Sequence, residues 1–112
     1  MMNLEALWSV EFFSNLASFG AGVIVLETER AFGGDSQYYY IGKFKVVHDT
    51  IHAEITATHY FGQPNSIFGN LKTFTVNVSG KYAEHTFELH GHLVENPNLK
   101  IGIRLTKRAD LP

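Results

Sequence analysis

The feature that most constrains this chain is an alternation of apolar and polar residues with a period of two, renewed in segment after segment and punctuated by glycine and Asx turns. It is clearest in residues 32–44, F-G-G-D-S-Q-Y-Y-Y-I-G-K-F. Gly33 and Gly34 can take φ > 0 without a Cβ clash, and Asp35 and Ser36 can bond back to the local backbone, so a turn is expected there. A strand follows. Tyr38, Tyr40, Phe44 and Val46 fall on one of its faces, and Tyr39, Ile41, Lys43 and Lys45 on the other. Gly42 interrupts the first face where a bulge, a bend or a close neighbour is expected.

The same period organises the rest. Residues 6–13 place Ala6, Trp8, Val10 and Phe12 on one side, with Ser9 and Glu11 opposite. Residues 14–20 read as a loop. Residues 21–26 are apolar on both faces, as in a strand buried on both sides or set at an interface. Residues 27–30 form a hairpin turn, Ala31 and Phe32 a short strand, and residues 48–50 another turn. Residues 51–61 alternate again, with Ile51, Ala53, Ile55 and Ala57 inward. The longest loop, residues 62–70, holds Ile67 and Phe68, which are expected to fold back as a plug or pack a neighbour. Residues 71–79 point Phe74, Val76 and Val78 inward, and Ser79-Gly80-Lys81 reads as a tight hairpin. Residues 82–93 return with Phe87, Leu89 and Leu93 inward. After a turn at 95–98, residues 99–105 form the last strand, and 106–112 a basic tail that frays. The glycines and β-branched residues of 17–25 argue against the one segment that could be forced into a helix.

About eight strands joined mostly by short turns imply an up-and-down meander, which removes its edges best by closing on itself. The expected fold is therefore all-β: a small eight-stranded up-and-down antiparallel β-barrel, one domain over residues 1–112. A barrel of this size holds its own side chains or one small ligand. Aromatic residues make up 13% of the chain, so most of the nine Phe and five Tyr must be buried or grouped, and the barrel should be mostly filled, with a small apolar cavity.

Composition narrows the function classes. The chain has no cysteine, hence no disulfide framework, thiol nucleophile or thiolate metal site. A formal charge of −2 gives no broad basic face for direct nucleic-acid binding. No apolar run reaches the roughly 18 residues of a membrane-spanning helix. The opening M-M-N-L-E-A-L-W lacks the basic and apolar regions of a secretion signal, so a cytoplasmic location is expected.

Candidate chemistry is sparse. His90 and His92 share a strand face with Glu88, a spacing that can chelate zinc or nickel, but no third and fourth ligands are fixed, and a solvated strand face is the preferred reading. His48 and His52 straddle a turn. His59 and His85 fall on otherwise apolar faces and read as satisfied core or cavity-mouth histidines. Glu84, Glu88 and His90 point outward, and there is no nucleophile elbow, P-loop or dinucleotide fingerprint. No metal, no cofactor and no enzymatic activity are expected. The expected cavity set is Trp8, Tyr38, Tyr40, Phe44, His59 and Phe68, with His59 or Tyr40 as polar anchors for a small apolar ligand or lipid. The Tyr38-Tyr39-Tyr40 run, with few cations beside it, reads as core on one face and interface on the other rather than as a platform for bases. Phe13, Ile24, Leu26, Tyr39 and Ile41 read as outward apolar residues that would group into a homodimer seam.

The order L-W-S-V-E-F, then G-A-G-V-I-V-L, then F-G-G-D-S-Q-Y-Y-Y-I-G-K-F resembles the GrlR family, small bacterial proteins typified by a negative regulator of type III secretion genes. The resemblance runs on through the strand at 51–60 and the P-N-S-I-F-G loop at 64–69, covering about the first two-thirds of the chain; G-G-D-S and that loop are its most specific parts. It implies a lipocalin-like eight-stranded barrel that dimerises and represses by binding a transcriptional activator rather than DNA. The family's activator contact uses an acidic E-D-E-D run in the turn that here reads Val46-Val47-His48-Asp49. The resemblance thus puts the partner-binding position at His48 and Asp49, where Asp49 alone keeps an acid.

Overall fold

The computed structural model describes residues 4–112. The chain forms eight strands: β1 (Ala6–Ser14), β2 (Phe19–Glu27), β3 (Arg30–Gly34), β4 (Tyr38–Val47), β5 (Thr50–His59), β6 (Thr73–Lys81), β7 (Thr86–Leu93) and β8 (Lys100–Asp110). Each pairs antiparallel with the next, and β8 returns to pair with β1 from Ala6↔Asp110 to Ser14↔Ile101, so the sheet closes into a barrel without a free edge. This is the expected all-β, eight-stranded, lipocalin-like barrel. Among the described residues no helix is long and apolar enough to cross a membrane. The expectation that the N-terminus is no secretion signal involves Met1, Met2 and Asn3, which lie outside the described residues.

Alternation decides what goes inside, because successive side chains on a strand point to opposite faces. Trp8 is fully buried, its ring edge-on to Phe87 at 5.1 Å between centroids. Its indole Nε1–H donates to the Leu4 carbonyl at 2.9 Å, so a large apolar ring is buried without stranding its one donor. Val76, Val78, Leu89, Leu93, Ile101, Ile103 and Leu105 complete the wall from β6 to β8.

Connections alternate between the two ends. The turns at 28–29 and 48–49 and the connection at 82–85 lie at one end. Thr28 and Glu29 have φ of 46° and 64°, as a two-residue hairpin matching the sheet twist requires. The loops at 15–18, 35–37, 60–72 and 94–99 lie at the other.

Several expectations are corrected, two of them for one physical reason: glycine can mark a close backbone approach as well as a turn. Gly33 and Gly34 do not turn; they continue β3, pairing with Ile24 and Val23 and with Tyr40 and Tyr39, and neither has positive φ. A Cβ on Gly33 would lie 2.0 Å from the Val23 carbonyl oxygen. Ser79-Gly80-Lys81 is not a hairpin: Gly80 pairs with Ile51, a Cβ there would lie 2.3 Å from the Glu88 carbonyl oxygen, and the chain reverses only at 82–85. The basic tail does not fray, since β8 runs to Asp110 against β1. β5 ends at His59, leaving Tyr60 and Phe61 exposed outside it. Ile24 and Leu26, read as outward, are buried inside, opposite Trp8 and Ala6; Val23 and Val25 are the outward pair on β2. His85 sits exposed in the β6–β7 connection.

Candidate functional site

The barrel encloses a cavity of about 380 Å³. Small inward residues create it: Ala31, Ala53 and Ala57 line it where larger side chains would fill the space between Ile24, Phe44, Ile51, Ile55 and Val76. The volume falls within the range of small-molecule sites, roughly 300–1,000 Å³. Its mouth faces the end with the longer loops, where Ser18, Asp35, Ser36, Gln37, Asn65 and Ser66 line it.

The expected plug forms. Ile67 and Phe68 are buried, and the Ile67 carbonyl accepts a hydrogen bond from the Ser14 hydroxyl at 2.9 Å, pinning the β5–β6 loop to β1. Ile67 lines the cavity, and Phe68 stands behind it, edge-on to Phe74 at 5.4 Å.

Asp35 organises the mouth. Its Oδ1 accepts the N–H groups of Gln37 and Tyr38, each at 2.8 Å, and its Oδ2 accepts the Tyr40 hydroxyl. The Tyr60 hydroxyl donates to the Asp35 carbonyl at 2.5 Å, and the Tyr38 hydroxyl to the Leu71 carbonyl at 2.6 Å. Burial, reinforced by the hydrogen bond to Asp35 and by its charge, pushes the Tyr40 phenol well above the usual tyrosine range. Burial raises the Tyr38 phenol as well, with the Asp35 charge adding to the rise and a Ser66 hydrogen bond opposing it. Both phenols therefore act as donors at neutral pH.

Of the sequence-predicted cavity residues, the structure brings together Tyr38, Tyr40 and Phe44. Trp8, His59 and Phe68 are inward but do not line the cavity: Trp8 packs toward Phe87, Phe68 toward Phe74, and His59 against Tyr38 at 5.6 Å. His59 is not the satisfied histidine expected, for its Nε2 is buried and meets no hydrogen-bonding group among the described residues. Asp35 was legible only as a turn residue. The signal for its second role was the acid five residues before an inward tyrosine, separated from it by the length of one tight turn.

His48 and Asp49 lie at the opposite end from the mouth. His48 takes φ of 58° in the turn; Asp49 sits 3.6 Å from the Lys81 ammonium, and its carbonyl accepts the Tyr82 N–H at 3.2 Å. On the far wall, Glu88 binds Arg104 at 2.8 Å and His90 at 3.2 Å, while His92 Nδ1 lies 2.8 Å from the Leu93 carbonyl. The Arg104 hydrogen bond holds the Glu88 carboxyl below its ordinary range. Among the described residues no group of three or more His, Asp and Glu side chains is placed to hold a metal ion.

The outer surface is divided by register. Two cross-strand rows carry no charge: Val23, Gly34, Tyr39, Thr58 and Thr73, then Val25, Phe32, Ile41, Thr56 and Thr75. Ile41 is 57% exposed and Tyr39 45%, and the exposed Tyr60 ring stands 6.4 Å from Tyr39. The next row, Glu27, Arg30, Lys43 and Glu54, carries both signs. Of the residues expected in one dimer seam, only Tyr39 and Ile41 share this face. Ile24 and Leu26 are inside, and Phe13 lies on the β1–β8 side, with its ring against His90 at 6.4 Å. No protein-family model and no curated protein matches the chain.

Proposed function

We propose that this protein is a non-enzymatic regulatory β-barrel that works in the cytoplasm through protein–protein contact, as a homodimer, in the manner of the GrlR-like proteins its sequence resembles, with a transcriptional activator as the kind of partner it restrains. The observation that carries this reading is the apolar outer face centred on Ile41 and Tyr39, bordered at Phe32 by the Arg30 guanidinium that lies over its ring. Exposed apolar surface contiguous across several strands marks an interaction site. A second copy is its occupant. A two-fold axis sets this face against itself, and with no charge on its two central rows the copies meet without like-charge repulsion. An activator contact at the family's position falls on His48 and Asp49. Asp49 is already beside Lys81, so attraction for a basic surface is weak there, and the activator held by this chain need not be the family's own.

Native mass spectrometry and sedimentation equilibrium of the tag-free protein test the dimer. A dimer is expected, and Ile41→Lys, which buries a charge in each half of the interface, should convert it to a folded monomer. A wild-type chain that remains monomeric at tens of micromolar overturns the reading.

The cavity favours a second reading, a carrier or sensor of a small apolar ligand. A discrete added mass retained in native spectra and lost on denaturation supports it; protein that takes up no apolar probe at all rejects it.

A further inference from the structure

The cavity lining is asymmetric in charge as well as in polarity. Among the described residues, Asp35 is its only ionisable side chain other than the two tyrosines; no lysine, arginine or histidine lines it. Amphiphiles that fill an apolar barrel differ chiefly at the head, and the head comes to rest where the polar groups are, at the mouth beside Asp35. An ionised carboxylate accepts about four hydrogen bonds. Three positions are filled, by the N–H groups of Gln37 and Tyr38 and by the Tyr40 hydroxyl. Capacity for one more donor remains on Oδ2. The Tyr40 and Tyr38 hydroxyl protons are already committed, to Asp35 and to the Leu71 carbonyl, so the side-chain donors left to an anionic head are the neutral groups of Ser18, Ser36, Gln37 and Asn65, and none of them offsets the Asp35 charge.

We infer that the cavity selects a single-chain amphiphile whose head donates a hydrogen bond, a primary amine first and a neutral alcohol second, and that Asp35 excludes carboxylate amphiphiles such as fatty acids. This inference rests on the ligand reading of the barrel. The physical ground is the sign of the fixed charge. A half-buried carboxylate with no counter-ion among the described residues of the cavity wall attracts an ammonium and repels a carboxylate, and the low-polarity surroundings strengthen both effects relative to bulk water. The apolar wall below, which includes Val10, Leu105, Ile24, Leu26 and Ile51, holds the chain whatever the head.

The test is isothermal titration calorimetry of the tag-free protein with decylamine, decanol and decanoate, each below its micelle concentration, on wild type and on Asp35→Asn. The expected order on wild type is decylamine, then decanol, then decanoate, with decylamine ahead of decanoate by on the order of tenfold or more. Asp35→Asn keeps an oxygen for the two backbone N–H groups and should bring decylamine and decanoate to within a few-fold of each other. Tyr40→Phe frees a further acceptor position on Asp35 and should tighten decylamine while leaving decanoate weak; it serves if Asp35→Asn does not fold, as read by circular dichroism. Decanol binding together with decanoate as tight as decylamine leaves the ligand reading standing and overturns the inference. Equal decylamine affinity in wild type and Asp35→Asn overturns it as well. If none of the three probes binds, the ligand reading falls and the inference with it.

Discussion

The two ends of this barrel are built on different principles. At the closed end, two-residue turns join β2 to β3 and β4 to β5, and Trp8 fills the space between the strands. At the open end longer loops reach over the mouth, and order there depends on specific side chains: Ser14 holds the Ile67 carbonyl, and Asp35 gathers Gln37, Tyr38 and Tyr40. Packing closes one end and hydrogen bonding shapes the other. Small-molecule sites place a few polar groups against an apolar wall, and the open end does so here. The turn at His48 and Asp49 is at the closed end, so a partner bound there, as proposed, and a ligand bound at the mouth would occupy opposite ends of one molecule.

The sharpest way to break the contrast is to empty the closed end. Trp8→Ala removes a fully buried ring and leaves the Leu4 carbonyl without its donor. It should cost about 3–5 kcal/mol, read as a drop in the denaturant midpoint. At the open end, Ile67→Ala should cost less, about 2 kcal/mol, because a loop can settle into the space more readily than a closed sheet can. That variant should also speed uptake of apolar probes, whereas a closed-end variant that still folds should not; equal losses at both positions would erase the distinction.

Tyr40→Phe probes the polar mouth. It removes a hydrogen bond to a carboxylate, for an expected loss of about 1–2 kcal/mol at neutral pH. The pH dependence has a definite sign. The folded-state Tyr40 phenol titrates above the ordinary value of 10.0, so its contribution is fully present below that value and declines as pH rises beyond it, where the unfolded chain releases the proton first. Alkaline denaturation of wild type should therefore be steeper above pH 10 than that of Tyr40→Phe, as thermal melts across that range would reveal. Parallel slopes would remove Tyr40 from the account. The smallest effect is expected at the closed-end turn. Asp49→Asn alters only exposed contacts, with Lys81 and with the Thr50 hydroxyl that donates to its carboxylate, and should leave the melting temperature unchanged.

Legibility followed locality. The inward set on β4, the apolar stripes of β6 to β8 and the plug of Ile67 and Phe68 could be read from alternation and from two large apolar residues in a loop. β2 could not be read, because Val23, Ile24, Val25 and Leu26 are all apolar and alternation carries no phase where both faces are hydrophobic. Gly33 and Gly80 looked like turns for a related reason: a missing side chain gives no local sign of whether it admits a left-handed φ or a neighbouring backbone. For the candidate site, Tyr38, Tyr40 and Phe44 were legible as inward residues. Asp35 as the acceptor beside them was not, since its partnership with Tyr40 spans a turn whose length is set by the register of β3 on β4.

What the sequence determined by itself is the strand count, the antiparallel order and the apolar character of the interior, since each follows from residue spacing within a segment or across one turn. Tertiary structure alone decided which face of β2 is inside, that β8 runs on to Asp110 along β1, which residues line the cavity, and that Asp35 is, among the described residues, the one charge in its wall. Those features depend on register between strands far apart in sequence. Closure of the sheet fixes all the registers together, and no single segment contains that condition.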